Sequence, residues 1–467
     1  MPQPFTRTTC PSLTMLVILF SLCLTTPGFA QQSPTIPPGS EPRLHDIVEA
    51  ASAERIEKDI RTLVNFGTRH TLSDTLSETR GIGAARRWIK SEFDRISAAA
   101  GGKLEVTYQY GLVEGVEGSR VPEDTWVVNV VAIQRGKTHP NRYIIMSGDI
   151  DSRVSDPLNS TSDSPGANDN ASGMAGVLEA ARLLTRYDFA HSIIYTGLSG
   201  EEQGLYGGRH MAKVANEAGW EIIGVLNNDM IGNIQGVDGV IDNSTFRVFS
   251  EPTPVTETED QRRRRRFTGG EVDGPSRQLA RYVHRITERY IPNLDAIMIY
   301  RLDRFGRGGH HRPFNDAGIP GVRIMETHEN YTRQHQDIRM ENGIAYGDVI
   351  EGVNFEYAAK LTTVNATVLA SLAWAPLQPA VVRIGGAVRP STTLAWAAVE
   401  DPNLAGYKVY WRDTTAPQWQ YERFVGLATE HTLENIVIDN ALFGVAAVGK
   451  QGNESVVVFP SASISRR

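Results

Sequence analysis

The sequence predicts an α/β protein, a three-layer sandwich around a mostly parallel mixed sheet, followed by a small all-β sandwich. Three observations carry this. Short β-branched or aromatic runs alternate with amphipathic helical stretches over residues 43–375, the pattern of a sheet covered by helices on both faces. Helical patterning stops at Pro376–Pro379. Beyond it, residues 376–467 read as short alternating strands separated by turn pairs such as Asp401-Pro402 and Gly452-Asn453. At 467 residues, 22% charged and 40% hydrophobic, the chain has room for two or three domains and is too apolar to be disordered.

Element by element, residues 1–30 read as a secretory signal peptide. Arg7 precedes the apolar run Leu13–Leu24, and Gly28-Phe29-Ala30 offers a small-residue cleavage site. The run is short for a membrane span. Cleavage would remove Cys10 and Cys23, the only cysteines, so an exported protein without disulfides or a membrane anchor is expected. Residues 31–42, rich in Pro, Ser and Gln, read as a flexible leader. Helices are predicted over Ile47–Phe66, Gly83–Ile96, Ala171–Leu184, Ser276–Tyr290 and Val353–Trp374. Strands are predicted at Leu104–Tyr110, Trp126–Ile133, Tyr143–Ser147, Ser192–Leu198, Ile222–Met230 and Gly321–Met325. In the C-terminal part they are predicted at Thr393–Ala397, Gly406–Arg412, Phe443–Val448 and Ser455–Phe459. Arg262–Arg266, following Glu257, Glu259 and Asp260, reads as a solvated loop. A formal charge of −7 argues against a nucleic-acid partner.

Chemistry concentrates at the ends of the predicted strands. These carry Gly148-Asp149-Ile150-Asp151, then Asn168-Asp169-Asn170-Ala171-Ser172-Gly173, then Gly200-Glu201-Glu202-Gln203-Gly204, then Asn228-Asp229. Ligands bind outside the carboxyl ends of strands in open α/β sheets. Converging carboxylates there repel one another unless cations lie between them. A single Asp at such a junction is ordinarily a helix cap or turn residue. Adjacent Glu201-Glu202 between glycines is not a cap pattern.

These segments resemble the co-catalytic zinc peptidase family that includes bacterial leucyl-type aminopeptidases, glutamate carboxypeptidases and glutaminyl cyclases. The likeness covers roughly Arg55–Trp374 and implies an aminopeptidase acting on peptides with two zinc ions. It implies that Asp169 bridges the metals, that Glu202 and Asp229 ligate one each, and that Glu201 is the general base. A late His ligand in the family matches His335, and a non-proline cis peptide follows the bridging Asp, here Asp169–Asn170. The pattern departs at the first ligand, where Asp149 stands in place of a histidine. Asp151, which would orient that histidine, loses its role, and Arg153 becomes a candidate partner for it. In Gly308-Gly309-His310-His311-Arg312-Pro313-Phe314, which resembles a pocket-lining segment, His310 replaces an acidic residue, and His311 is a substrate or structural candidate. Tyr331, Asp337 and Arg301 are further pocket candidates. Trp396 and Tyr407-Lys408-Val409-Tyr410-Trp411 resemble the core of a fibronectin type III domain.

Rival chemistries fare worse. Gly197-Leu198-Ser199-Gly200-Glu201 misses the last glycine of a serine-hydrolase elbow, and no His-Glu-x-x-His helix exists. Within the family, a glutaminyl cyclase using one zinc, or a weakened peptide-binding homologue, is the alternative that Asp149 leaves open. The sequence does not fix an oligomeric state.

Overall fold

The computed structural model describes residues 36–464, so the signal-peptide expectation for residues 1–30 lies outside the described residues. The chain enters through helices α1 (Arg43–Val48), α2 (Ala53–Val64) and α3 (Gly81–Ala99). The first two replace the single helix expected over Ile47–Phe66. Ser52 breaks it, because its hydroxyl caps α2 by accepting from the Arg55 N–H and its own N–H is taken by buried Glu179 at 3.0 Å. Strands β1 (Leu104–Val113), β2 (Thr125–Gln134) and β3 (His139–Asp149) follow, then α4 (Gly173–Leu184) and β4 (His191–Leu198). Next come the single turn α5 (Glu201–Gly204), α6 (Tyr206–Glu217), β5 (Glu221–Asn228) and β6 (Thr245–Ser250). Helices α7 (Glu259–Thr268) and α8 (Pro275–Tyr290), β7 (Asp295–Ile299), α9 (His311–Asp316), β8 (Gly321–Glu326) and α10 (Phe355–Trp374) complete this part, with a small hairpin at residues 339–346.

The eight strands form one mixed sheet in the order β1-β2-β4-β3-β5-β8-β6-β7. The central β4, β3, β5 and β8 run parallel, and the β1/β2, β2/β4 and β6/β8 pairs are antiparallel. Alternate residues of β3 serve opposite faces, as the strand repeat of two requires. Ile144 and Met146 pack with α4, α8 and α10, whereas Tyr143 and Ile145 pack with Met211 of α6 and Phe314 of α9. Both faces are therefore covered, and the parallel strands present all their carboxyl ends along one edge.

The arginine run is not a loop. Thr258 caps it through a reciprocal bond pair with Gln261, and it forms the exposed helix α7, with Arg265 paired to Glu257 at 2.8 Å. Past Trp374 the helices cease. Seven strands build a four-stranded and a three-stranded sheet whose facing residues, Leu394 and Trp396 against Tyr407, Val409 and Phe443, share one core. The strand expected at Ser455–Phe459 is reduced to isolated bridges at Glu454 and Val458. Glu454 holds that segment instead, through Lys408 at 2.9 Å and Arg285 of α8 at 3.2 Å. Buried Asp273 binds both Arg281 of α8 and Arg412 of the β part at 2.8 Å, which ties the two parts together. Among the described residues no helix is long and apolar enough to cross a membrane.

Candidate metal centre and active site

Three of the strand-edge segments are placed by the parallel core of the sheet. Asp149 ends β3, Asp229 follows β5, and Glu201-Glu202 follow β4 across Ser199-Gly200. Gly200 takes φ +74°, a left-handed conformation that glycine adopts at little cost, and starts the turn that carries both glutamates. Asp151 fixes that turn. Its carboxylate accepts from the N–H groups of Glu201 and Glu202 at 3.2 and 3.0 Å and from the Thr71 hydroxyl at 2.9 Å. Asp169 precedes α4 in an irregular turn, and the Asp169–Asn170 peptide is cis. Buried Asp348 grips this turn by accepting from the N–H groups of Asn168 and Asp169 at 2.9 and 2.7 Å. Burial pushes the Asp348 pKa up to about 6, against the pull of those two N–H groups.

Asp169, Glu202 and His335 come together, with one ligand atom from each lying within 4.8 Å of the others. His335 Nε2 is 3.0 Å from Asp169 Oδ2 and 3.0 Å from Glu202 Oε1. One imidazole nitrogen and two carboxylate oxygens are a donor set zinc accepts, so these residues fit a divalent ion. Arg153 braces the trio from outside. Its Nε donates to Glu202 Oε2 at 2.8 Å, and its Nη2 stands 2.6 Å from His335 Nδ1. Arg153 is thus a partner of Glu202 and not of Asp151. Burial opposes charge on both carboxylates, but nearby His335 outweighs it and holds Asp169 and Glu202 below the usual carboxylate range.

The other two expected ligands are engaged elsewhere. Asp149 Oδ1 is 2.5 Å from His310 Nδ1, and its Oδ2 accepts from Asn170 Nδ2 at 2.7 Å. Asp229 Oδ2 pairs with Arg323 Nη2 at 3.0 Å, and Arg323 also meets Asp303 at 3.2 Å. Arg323 is fully buried, and the guanidinium is always charged. Among the described residues the one trio of ligand atoms lying within 4.8 Å of one another is Asp169, Glu202 and His335. A fixed cation already sits on Asp229, and a histidine already sits on Asp149.

Glu201 stands beside the trio, half-buried on a cavity of about 400 Å³ that Asp169, Glu202, Asp229 and His335 also line. Burial and then its acidic neighbours, Glu202 foremost, push its pKa well above the usual value. A raised pKa makes a carboxylate a stronger base. His310 and His311 lie outside this cavity. His311 is fully buried, with Nε2 donating to the Leu302 carbonyl at 2.7 Å, which makes it structural. Tyr331, Asp337 and Arg301 do not line the cavity either. Arg323 and Asp348 were missed by sequence reasoning. The one signal for Arg323 is a charge inside the otherwise apolar Val322–Met325 run.

A sequence model of peptidase family M28 matches residues 129–344. A probable zinc metalloprotease of Leptosphaeria maculans is 42% identical over 424 residues, covering 91% of this chain and 98% of that protein. A probable zinc metalloprotease of Pyrenophora tritici-repentis is 41% identical over 428 residues, covering 91% and 88%. Among solved structures, an aminopeptidase of Legionella pneumophila superposes with a TM-score of 0.52 at 18% identity, covering 73% of this chain and 78% of that one. That likeness is one of fold.

Proposed function

The chain belongs to peptidase family M28, and from that premise we propose that it is an exported metallo-exopeptidase, an aminopeptidase, with Glu201 as general base. The observation that carries the reading is the trio Asp169, Glu202 and His335 beside Glu201 on one cavity. We propose one divalent ion per chain, zinc by the naming of the relatives, held by that trio. Such an ion would supply Lewis-acid polarisation of a carbonyl and a lowered pKa for a water at the site. The residues of the chain do the rest. Glu201 takes the proton of the attacking water and returns it to the leaving amine. Asp151 holds Glu201 and Glu202 in register through their N–H groups, and Asp348 does the same for Asp169. Export rests on the leader pattern of residues 1–30, and the C-terminal strands, in sheets of four and three, support the fibronectin-like reading as an accessory unit.

The test is elemental analysis of purified protein together with peptide hydrolysis before and after chelation. One bound ion, activity lost on chelation and restored by zinc, and a Glu201→Gln variant that keeps the ion but loses about 10²–10⁴ in turnover are expected. Activity indifferent to chelation would overturn the reading. A single ion seat also favours a second reading, cyclisation of N-terminal Gln. Loss of ammonia from a Gln-initiated peptide without chain cleavage would select it.

A further inference from the structure

Six arginines line the cavity that holds Glu201: Arg120, Arg153, Arg209, Arg304, Arg307 and Arg312. Four carboxylates, of Asp169, Glu201, Glu202 and Asp229, face them, and no lysine does. The chain as a whole carries −7, so this excess of positive charge is local. Two of the six are committed to the protein, Arg153 to Glu202 and Arg304 to Glu329 at 2.7 Å. Among the described residues the other four have no carboxylate partner. Arg120 donates to the Glu202 carbonyl at 2.7 Å and Arg209 to the Gly204 carbonyl at 3.0 Å, so both border the Glu201 turn while keeping their charge unpaired. Arg307 is exposed, with Nη2 3.4 Å from His335 Nδ1. Arg312 is half-buried, and its Nε is sealed from water without an acceptor.

We infer that the substrate carries a carboxylate close to the bond that is cut, and that the unpaired arginines receive it. The inference rests on the metallopeptidase reading and narrows its substrate class. A concave site lined by one sign of charge focuses its field and draws in the opposite sign. A guanidinium fork matches a carboxylate in shape and gives it short, charge-assisted hydrogen bonds. A cationic side chain entering here meets the like charge of those four arginines. The carboxylate has two sources, an Asp or Glu side chain or the C-terminus of a short peptide.

Calorimetry on the zinc-loaded Glu201→Gln full-length chain tests this without turnover. The probes are a Gln-initiated tripeptide amide, the same peptide with Glu for Gln, the same peptide with a free C-terminal carboxylate, and a Lys-initiated version. At least one carboxylate-bearing peptide should bind about tenfold or more tightly than the neutral amide, and the Lys peptide should bind most weakly. Which of the two binds more tightly identifies the source. Adding Arg307→Gln and Arg312→Gln should bring that ratio close to one, with ion content and Tm as controls for an intact site. Equal or tighter binding of the neutral or Lys peptide, or a ratio untouched by those substitutions, would overturn the inference. Wild-type turnover on the same peptides separates the two ideas. A carboxylate preference in binding with no cleavage of any peptide sinks the metallopeptidase reading and leaves this one standing.

Discussion

The carboxylates at the sheet edge divide into two sets of the same chemistry in different company. Asp169 and Glu202 face one imidazole and an open cavity of about 400 Å³. Asp149 and Asp229 pair with His310, Asn170 and the fully buried guanidinium of Arg323, although Asp229 also borders that cavity. Burying a carboxylate is costly unless an opposite charge or hydrogen bonds compensate it. In the first set His335, with Arg153 on Glu202, supplies that compensation, whereas the second takes it from His310, Asn170 and Arg323. On the proposed reading the first set is the one that gains and loses a metal, and the difference lies in the neighbours rather than in the acids.

The largest effect should come from dismantling the exchangeable side. Glu202→Gln or His335→Ala should empty the ion seat and cut hydrolysis by about a thousandfold or more, read by elemental analysis and turnover on the same sample. Asp229→Asn should keep the ion. An Asp229→Asn protein purified without metal would erase the distinction between the sets.

Next in size is the fixed side. Arg323→Met leaves Asp229 and Asp303 buried with their main countercharge removed, and loss of one partner of a buried pair costs about 3–5 kcal/mol. Urea unfolding should show that loss, while ion content stays at one per chain. A second ion appearing in Arg323→Met would show instead that the guanidinium only blocks a competent metal seat. Asp149→Ala should cost less, about 1–3 kcal/mol, because it strands the donors of His310 and Asn170 without removing a countercharge. If ion content falls with that substitution, Asp149 is a ligand after all.

Much of this was legible in the sequence, and the reasons are specific. The central parallel strands are mostly apolar runs flanked by glycine-rich turns, so β3, β4, β5 and β8 and the acids at their ends could be placed. Strands β6 and β7 were not. Thr245–Ser250 alternates with Arg247, and Asp295–Ile299 is five residues long, so neither stands out from its polar flanks. The trio was legible because Glu202 and Asp169 sit in long motifs. The sorting of acids into two sets was not, since it depends on Arg323 reaching Asp229 across 94 positions of sequence. The arginines of the cavity are likewise scattered from 120 to 312 and meet only in the fold.

An effect of about 1 kcal/mol per pH unit reads how tightly the fixed side is sealed. His311 packs beside Asp303, 3.5 Å away, on the side that holds Arg323. Burial pushes its pKa down to about 4, overriding the attraction of Asp303 and of the Leu302 carbonyl. In the unfolded chain the same ring titrates near its ordinary value of about 6.5. Between those two values the unfolded state holds the extra proton, so stability rises with pH across that window. The contribution is complete above pH of about 6.5 and is lost as the pH falls toward about 4, at roughly 1 kcal/mol per pH unit. His311→Gln removes the titration while keeping an N–H for Leu302. That variant should start less stable at neutral pH and then lose stability less steeply through the same window. Urea midpoints taken every half unit would show it, and parallel slopes for the two proteins would mean that His311 is reached by water and that the arginine side is not sealed.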